Sequence, residues 1–254
     1  VKADSSGALA EVQDEKGNPL PATLIAAEAK LVPDGLEAVV NWAVGDPTDR
    51  RNLQVTMRAR ETGPIEIHST LRNNAESPWD TAVSSPALHQ VTVSSDPDQA
   101  GYLVGMRNTL LGRGDMTIDR DYGGPWPLPV VDLFDSRIGG GLGVIINDPQ
   151  LLPKHLQFKQ AGGKADLAIR FAPLRVAAGG TVELPKIVLL PHTGGWRHTF
   201  EHYREEARRI TTPQRRLADT FYCRRDYPLG GTDYLFSVPK LAYTPDVLGE
   251  ESTR

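Results

Sequence analysis

His198, Glu201 and His202 have the sharpest spacing for chemistry in this chain. Two histidines four apart on a helix can share a zinc ion while the glutamate between them acts as base, the His-x-x-Glu-His arrangement of inverzincin peptidases. Helical phase argues against that use. At about 100° per residue, Trp196, Phe200, Tyr203 and Ala207 mark one face, and His198 and His202 fall on the opposite one beside Glu205 and Arg209. The pair is expected to face water, so a zinc metallopeptidase stands only as an alternative, and neither a metal nor any other cofactor is expected.

Other groups are weaker still. Asp132 and Asp135 could be imagined as a glycosidase couple, but their odd spacing puts them on opposite faces of a strand. Gly139, Gly140 and Gly141 lack the Lys-Ser/Thr of a phosphate loop and read as a turn between strands. There is no Gly-x-Ser-x-Gly elbow, and the single cysteine, Cys223, reads as a linker or core residue. His68 and His89 lie on strand-like segments, where a sugar epimerase would need a histidine and a carboxylate to move protons at an anomeric centre. A strand histidine is more commonly a partly exposed, satisfied side chain. Trp126 sits among Gly123, Gly124, Pro125, Pro127 and Pro129. It is either a sugar contact, since an aromatic face stacks on the C–H face of a pyranose, or a plug at the edge of a sheet.

The elements that would hold these residues are mostly strands. Period-two alternation dominates up to about residue 190: Ile65, Ile67, Ser69 and Leu71 share one face, and Glu66, His68 and Thr70 the other. Comparable segments fall at 36–44, 53–59, 88–93, 142–146, 167–171 and 182–190, with turn clusters between them. That many half-buried strands predict two large antiparallel sheets packed face to face. The opening residues read as a strand turning on Gly17-Asn18 into the next, and 112–129 as a long loop. From Trp196 an amphipathic helix is expected, ending near Thr211 because Thr212 precedes Pro213. A polar linker, a short strand at 232–236 and a helix starting at Thr244-Pro245 follow.

The chain has 254 residues, 39% hydrophobic and 24% charged, with a formal charge of −4. It holds no apolar run long enough to span a bilayer, and its balance argues against a phosphate-backbone binder. Neither nucleic acid nor membrane is therefore an expected partner. Arg204, Arg208, Arg209, Arg215 and Arg216 are interleaved with Glu201, Glu205 and Glu206 and read as a solvated helix surface. One cysteine allows no internal disulfide and leaves the compartment open, with a secreted or periplasmic setting slightly favoured. The start at Val1 fits a removed leader or a longer protein.

Three landmarks, in order, resemble the galactose mutarotase-like super-sandwich that precedes a (β/α)8 barrel in several glycoside hydrolase families. They are Leu71 through Asn73-Asn74 and Ser77-Pro78-Trp79 to Ser85-Pro86; Leu133-Phe134-Asp135 with Gly139 to Val144; and Pro191-His192-Thr193-Gly194-Gly195-Trp196 through Tyr203-Arg204, with Gly195 where Asp is common. The resemblance covers about residues 1–210. It implies a mainly β fold: a super-sandwich over 1–193, a linker helix over 194–212 and the truncated start of a catalytic barrel over 213–254. The sandwich would support the barrel and lend loops to a sugar pocket, with the catalytic carboxylates in the missing barrel. The implied partners are that barrel and a carbohydrate. Residues placed at the pocket on this reading are Trp126 and, near the domain junction, Arg225 and Asp226. Alternatives are a stand-alone carbohydrate-binding sandwich and an aldose epimerase.

Overall fold

The computed structural model describes residues 9–61, 63–105, 110–122, 128–193, 195–210, 220–226 and 233–239. The chain falls into two compact units, Val1–Ala207 and Arg208–Arg254. The first opens with β1 (Glu11–Gln13), β2 (Ala22–Val32), β3 (Gly35–Val44), β4 (Arg51–Arg60), β5 (Ile65–Asn73) and β6 (Trp79–Thr92). Next come β7 (Ala100–Val104), β8 (Leu110–Arg113), β9 (Met116–Asp121), β10 (Val130–Asp135), β11 (Gly141–Asn147) and β12 (Lys154–Ala161). It closes with β13 (Lys164–Val176), β14 (Thr181–Glu183) and β15 (Lys186–His192), followed by the helix α1 (Trp196–Ile210).

These strands form the two antiparallel sheets that the alternation predicts. The smaller runs β1-β6-β13-β12-β9; the larger runs β2-β3-β4-β5-β15-β11-β10-β7-β8, with β14 also on β5. The predicted alternation of β5 holds, with Ile67, Ser69 and Leu71 buried and His68 exposed. Between the sheets lies one core, including Leu53, Ile67, Leu71 and Val144 from the larger and Leu156, Phe158, Ile169 and Phe171 from the smaller. Polar ties cross it. Asn73, fully buried at the end of β5, donates to the carbonyls of Ser77, Val176 and Ala177 at 2.8, 3.2 and 3.1 Å.

Four local expectations need correction. The opening strand and its successor do not pair as a meander: β1 joins β6 and β2 joins β3, in different sheets, with only a Gln13–Pro19 bridge at the turn. The expected loop over 112–129 contains β9, which pairs with β12 and whose Ile118 is buried. The single strand expected over 182–190 is two, β14 and β15, interrupted at Leu184-Pro185, because Pro185 brings no N–H to a ladder. In the second unit, β17 (Asp233–Pro239) occupies the expected strand position, but it pairs antiparallel with β16 (Thr220–Asp226), where a linker was expected. The helix expected from Pro245 lies outside the described residues.

Helix α1 covers the outer face of the larger sheet. Phe200 and Tyr203 pack on Val130, Ile145 and Val188, and Trp196 meets Phe200 edge-on at 6.1 Å. This is the face predicted from the stripe, with one addition. Glu206, read from sequence as solvated, is buried, and it accepts hydrogen bonds from Asn147 at 3.0 Å and Lys186 at 3.1 Å. It lies three residues beyond Tyr203, on the buried face, and sheet donors compensate its lost hydration.

Candidate functional site

The outer face of the smaller sheet carries the densest set of chemically capable side chains among the described residues. Because directly paired residues share a face, the register aligns Glu11, Ser84, Arg170, His155 and Asp121 in one row across all five strands. The alternation behind this is plain in β12, where Leu156 and Phe158 point into the core and His155, Gln157 and Lys159 point out. In β13, Leu167, Ile169 and Phe171 are core and Asp166 and Arg170 lie on the other face.

Side chains in this row are fixed by one another. The Nδ1 of His155 lies 2.8 Å from Asp121 Oδ1, and its Nε2 contacts the Asp119 carboxylate. Arg170 donates through Nε to Gln13 Oε1 at 2.7 Å. Ser84, buried beneath the row, has a hydroxyl with no partner among the described residues. A cleft of about 530 Å³ opens over these groups, bounded by Gln13, Asp121, Tyr122, His155, Gln157 and Arg170.

The cleft has ordered walls. On one side the 14–18 turn is held by Asp14, whose carboxylate accepts from the backbone of Lys16 and Asn18 and from the Asn18 amide. The Asn18 bonds, side chain first, hold the Asp14 carboxyl below its ordinary range. On the other side Lys154 is fully buried, 2.5 Å from Asp148 Oδ2, and its ammonium lies 3.8 Å from the Tyr122 ring centroid. Burial pushes the Lys154 pKa down and Asp148 partly restores it; burial, with the Asp148 charge, pushes the Tyr122 phenol up.

A second histidine decorates the same strands. His89 of β6 lies 3.0 Å from Glu11 and 3.9 Å from Asp166. His68, the other strand histidine, is exposed on the larger sheet, so the two do not share a site.

The arrangement is a hydrogen-bonding surface. Gln13, Gln157 and Arg170 supply donors, and Asp121 and the glutamine carbonyls supply acceptors. This is the mixed lining that sugar hydroxyls, each both donor and acceptor, can satisfy. Proton transfer is less well served, because both ring nitrogens of His155 already face carboxylates.

The seam under α1 holds a second polar cluster. Asp132, buried in β10, accepts from the Thr199 hydroxyl at 2.5 Å and pairs with His192 Nε2 at 2.8 Å. Burial raises the Asp132 pKa, and the bonds from Thr199 and His192 oppose the rise. Both partners meet the same oxygen, so no histidine stands between hydroxyl and carboxylate as nucleophilic relays require. Asp135, three residues on, binds Ser94 and Arg137 instead, so the two aspartates form no couple, as their spacing implies. His198 is exposed, whereas His202, expected to be exposed, is half-buried. Among the described residues no group of three or more His, Cys, Asp or Glu side chains stands in metal-binding geometry.

Of the sugar contacts named from sequence, Trp126 lies outside the described residues. Arg225 and Asp226 end β16, and their side chains also lie outside the description. The sequence reading missed His155, Arg170, Gln13, Gln157, Asp121 and Tyr122. A signal was present: 154–160 and 164–171 both alternate, but their polar members gain meaning only when the register sets them side by side.

No family model matches the chain, and no curated protein matches it. Among solved structures, the chain is similar to the α-N-acetylgalactosaminidase of Bifidobacterium bifidum. In the Gal-NHAc-DNJ complex of that enzyme the TM-score is 0.59 at 13% identity, covering 80% of this chain and 34% of that one. In its GalNAc complex the TM-score is 0.56, also at 13% identity, covering 79% and 33%. An aldose 1-epimerase candidate from Klebsiella pneumoniae subsp. pneumoniae matches with TM-score 0.50 at 13% identity, over 79% of this chain and 62% of that one. The chain thus spans about a third of the glycosidase chains it matches. At these identities the likeness is one of fold: the larger unit shares the two-sheet antiparallel β-sandwich fold with these chains.

Proposed function

We propose that this chain is the amino-terminal, carbohydrate-associated sandwich of a glycoside hydrolase, which supports a following (β/α)8 barrel and helps to shape its sugar pocket. The observation that carries this reading is the fold likeness to a glycosidase of which this chain spans only a third. The polar cleft over Arg170 and Gln157 adds a surface chemically suited to hydroxyl groups. On this reading the domains divide as 1–193, 194–212 and 213–254, and the glycosidic chemistry belongs to the barrel. Trp126 would contribute an aromatic platform. Arg225 and Asp226 would contribute polar contacts near the domain junction.

The test is titration calorimetry of the 254-residue chain with galactose and N-acetylgalactosamine, alongside assays for glycoside cleavage and anomer interconversion. The expected outcome is weak binding, lost in Arg170→Ala and Gln157→Ala, with neither reaction catalysed. Glycoside cleavage by the purified chain would place the catalytic groups within it and overturn the division of labour. The epimerase reading rests on the Klebsiella likeness, and catalysed anomer interconversion would favour it. The engagement of both His155 nitrogens weighs against it.

A further inference from the structure

The larger sheet overhangs the smaller one, and its free edge is built to pair. Strand β2 is eleven residues long and, among the described residues, hydrogen-bonds to β3 alone. Register carries the core-facing side outward from β5 through β4 and β3 to β2. Leu71, Leu53, Trp42 and Leu24 lie on one line, and Ile65, Ala59, Leu36 and Leu31 on another. Leu53 and Leu71 are buried, but Leu24, Leu31 and Leu36 are 57%, 87% and 43% exposed, because the smaller sheet does not reach them. The opposite side of the same strands is ionic: Glu37 binds Lys30 at 2.8 Å and Arg58 at 2.6 Å. An edge strand with unpaired backbone groups and one uncovered apolar side is a template for another strand.

We infer that the occupant of this edge is β2 of a second copy of the chain, paired antiparallel about a two-fold axis through Ala29. The inference goes beyond the proposed function and does not rest on it. A bulge interrupts β2 between Leu24 and Ala26, leaving 26–32 as the regular stretch, and Ala29 is its midpoint. An antiparallel two-fold at that residue sets Glu28 against Lys30 of the second copy, and Lys30 against its Glu28. It also sets Ala27 against Leu31, Ala26 against Val32, and Ala29 against itself. Every pair is charge-complementary or apolar, and no like charges meet. The exposed Leu31 of each copy leans over Ala27 and Ala29 of the other, which are small enough to admit it. Centring the axis on Ala27 instead sets Lys30 opposite Leu24, and the complementarity is lost.

The experiment measures mass by light scattering and sedimentation for the whole 254-residue chain, with circular dichroism to confirm folding. The wild type is expected to reach twice the monomer mass as concentration rises. Glu28→Lys places lysine against lysine twice, Lys30→Glu places glutamate against glutamate twice, and each is expected to remain monomeric. Mixed in equal amounts, these two variants restore complementarity and are expected to dimerise as a heterodimer. Ala29→Glu, at an exposed on-axis position that leaves the Lys30–Glu37 bridge intact, is expected to be folded and monomeric even if Lys30→Glu folds poorly. A monomeric wild type, dimers that survive Glu28→Lys and Ala29→Glu, or folded single variants that stay monomeric on mixing would overturn the inference.

Discussion

Thr199 of α1 sits in the hollow over Gly143 of β11: a β-carbon at position 143 would lie 2.3 Å from the Thr199 hydroxyl oxygen. Gly143 is paired with Asp132, the acceptor of that hydroxyl, so the glycine admits the helix to hydrogen-bonding distance of a buried carboxylate. Gly143→Ala should force Thr199 away and cost about 1–3 kcal/mol. Urea unfolding would read this, and a second substitution, Thr199→Ala, should recover part of the loss by vacating the hollow.

The cleft wall depends on a buried charge pair. Removing Asp148 alone leaves the Lys154 ammonium buried without its anion, so Asp148→Ala should cost about 3–5 kcal/mol. Lys154→Met with Asp148→Leu, which removes both charges and keeps volume, should cost far less. A double-mutant cycle by chemical denaturation checks this through the sign and size of the coupling.

Asp135 should dominate part of the acid limb of stability. The Arg137 guanidinium, the Ser94 hydroxyl and the Arg137 backbone N–H hold its carboxyl well below the usual carboxylate range. A carboxyl depressed in the folded state contributes stability that is full above its unfolded pKa, about 3.9, and is lost as pH falls from there toward the folded value. Asp135→Asn should therefore be less stable than wild type at neutral pH. Its melting temperature should fall less steeply than wild type below about pH 4.

The helix should tolerate change on its outer face and resist it on the inner one. Phe200 is half-buried against Val130, Ile145 and Val188. Phe200→Ala should therefore cost about 2–3 kcal/mol, below the range for a fully buried phenylalanine. Glu206→Ala, which leaves the Asn147 amide without its acceptor and Lys186 with Glu66 alone, should cost about 1–3 kcal/mol. His198→Ala, on an exposed position, should change stability by less than about 0.5 kcal/mol. Thermal melts of the three variants rank these effects.

Local sequence was enough for the class of fold, the placement of β3, β4, β5, β11 and β13, the inward face of α1 and the turn character of the glycines before β11. Each is written in a local period: two for β5 and β11, near 3.6 for α1. A side chain buried at every second or fourth position leaves its mark whatever its distant neighbours are. What lies beside what is set by the long-range pairing of the folded chain. Glu206 looks solvated because its sequence neighbours are charged, yet Asn147 and Lys186 from other strands supply the bonds that let it be buried. Asp121, His155 and Arg170 are separated by 34 and 15 positions, and each alone is an ordinary polar residue on an outer face. They become one row through the registers of β9, β12 and β13. Register is set by long-range pairing and by the bulges in β13, which no local period encodes.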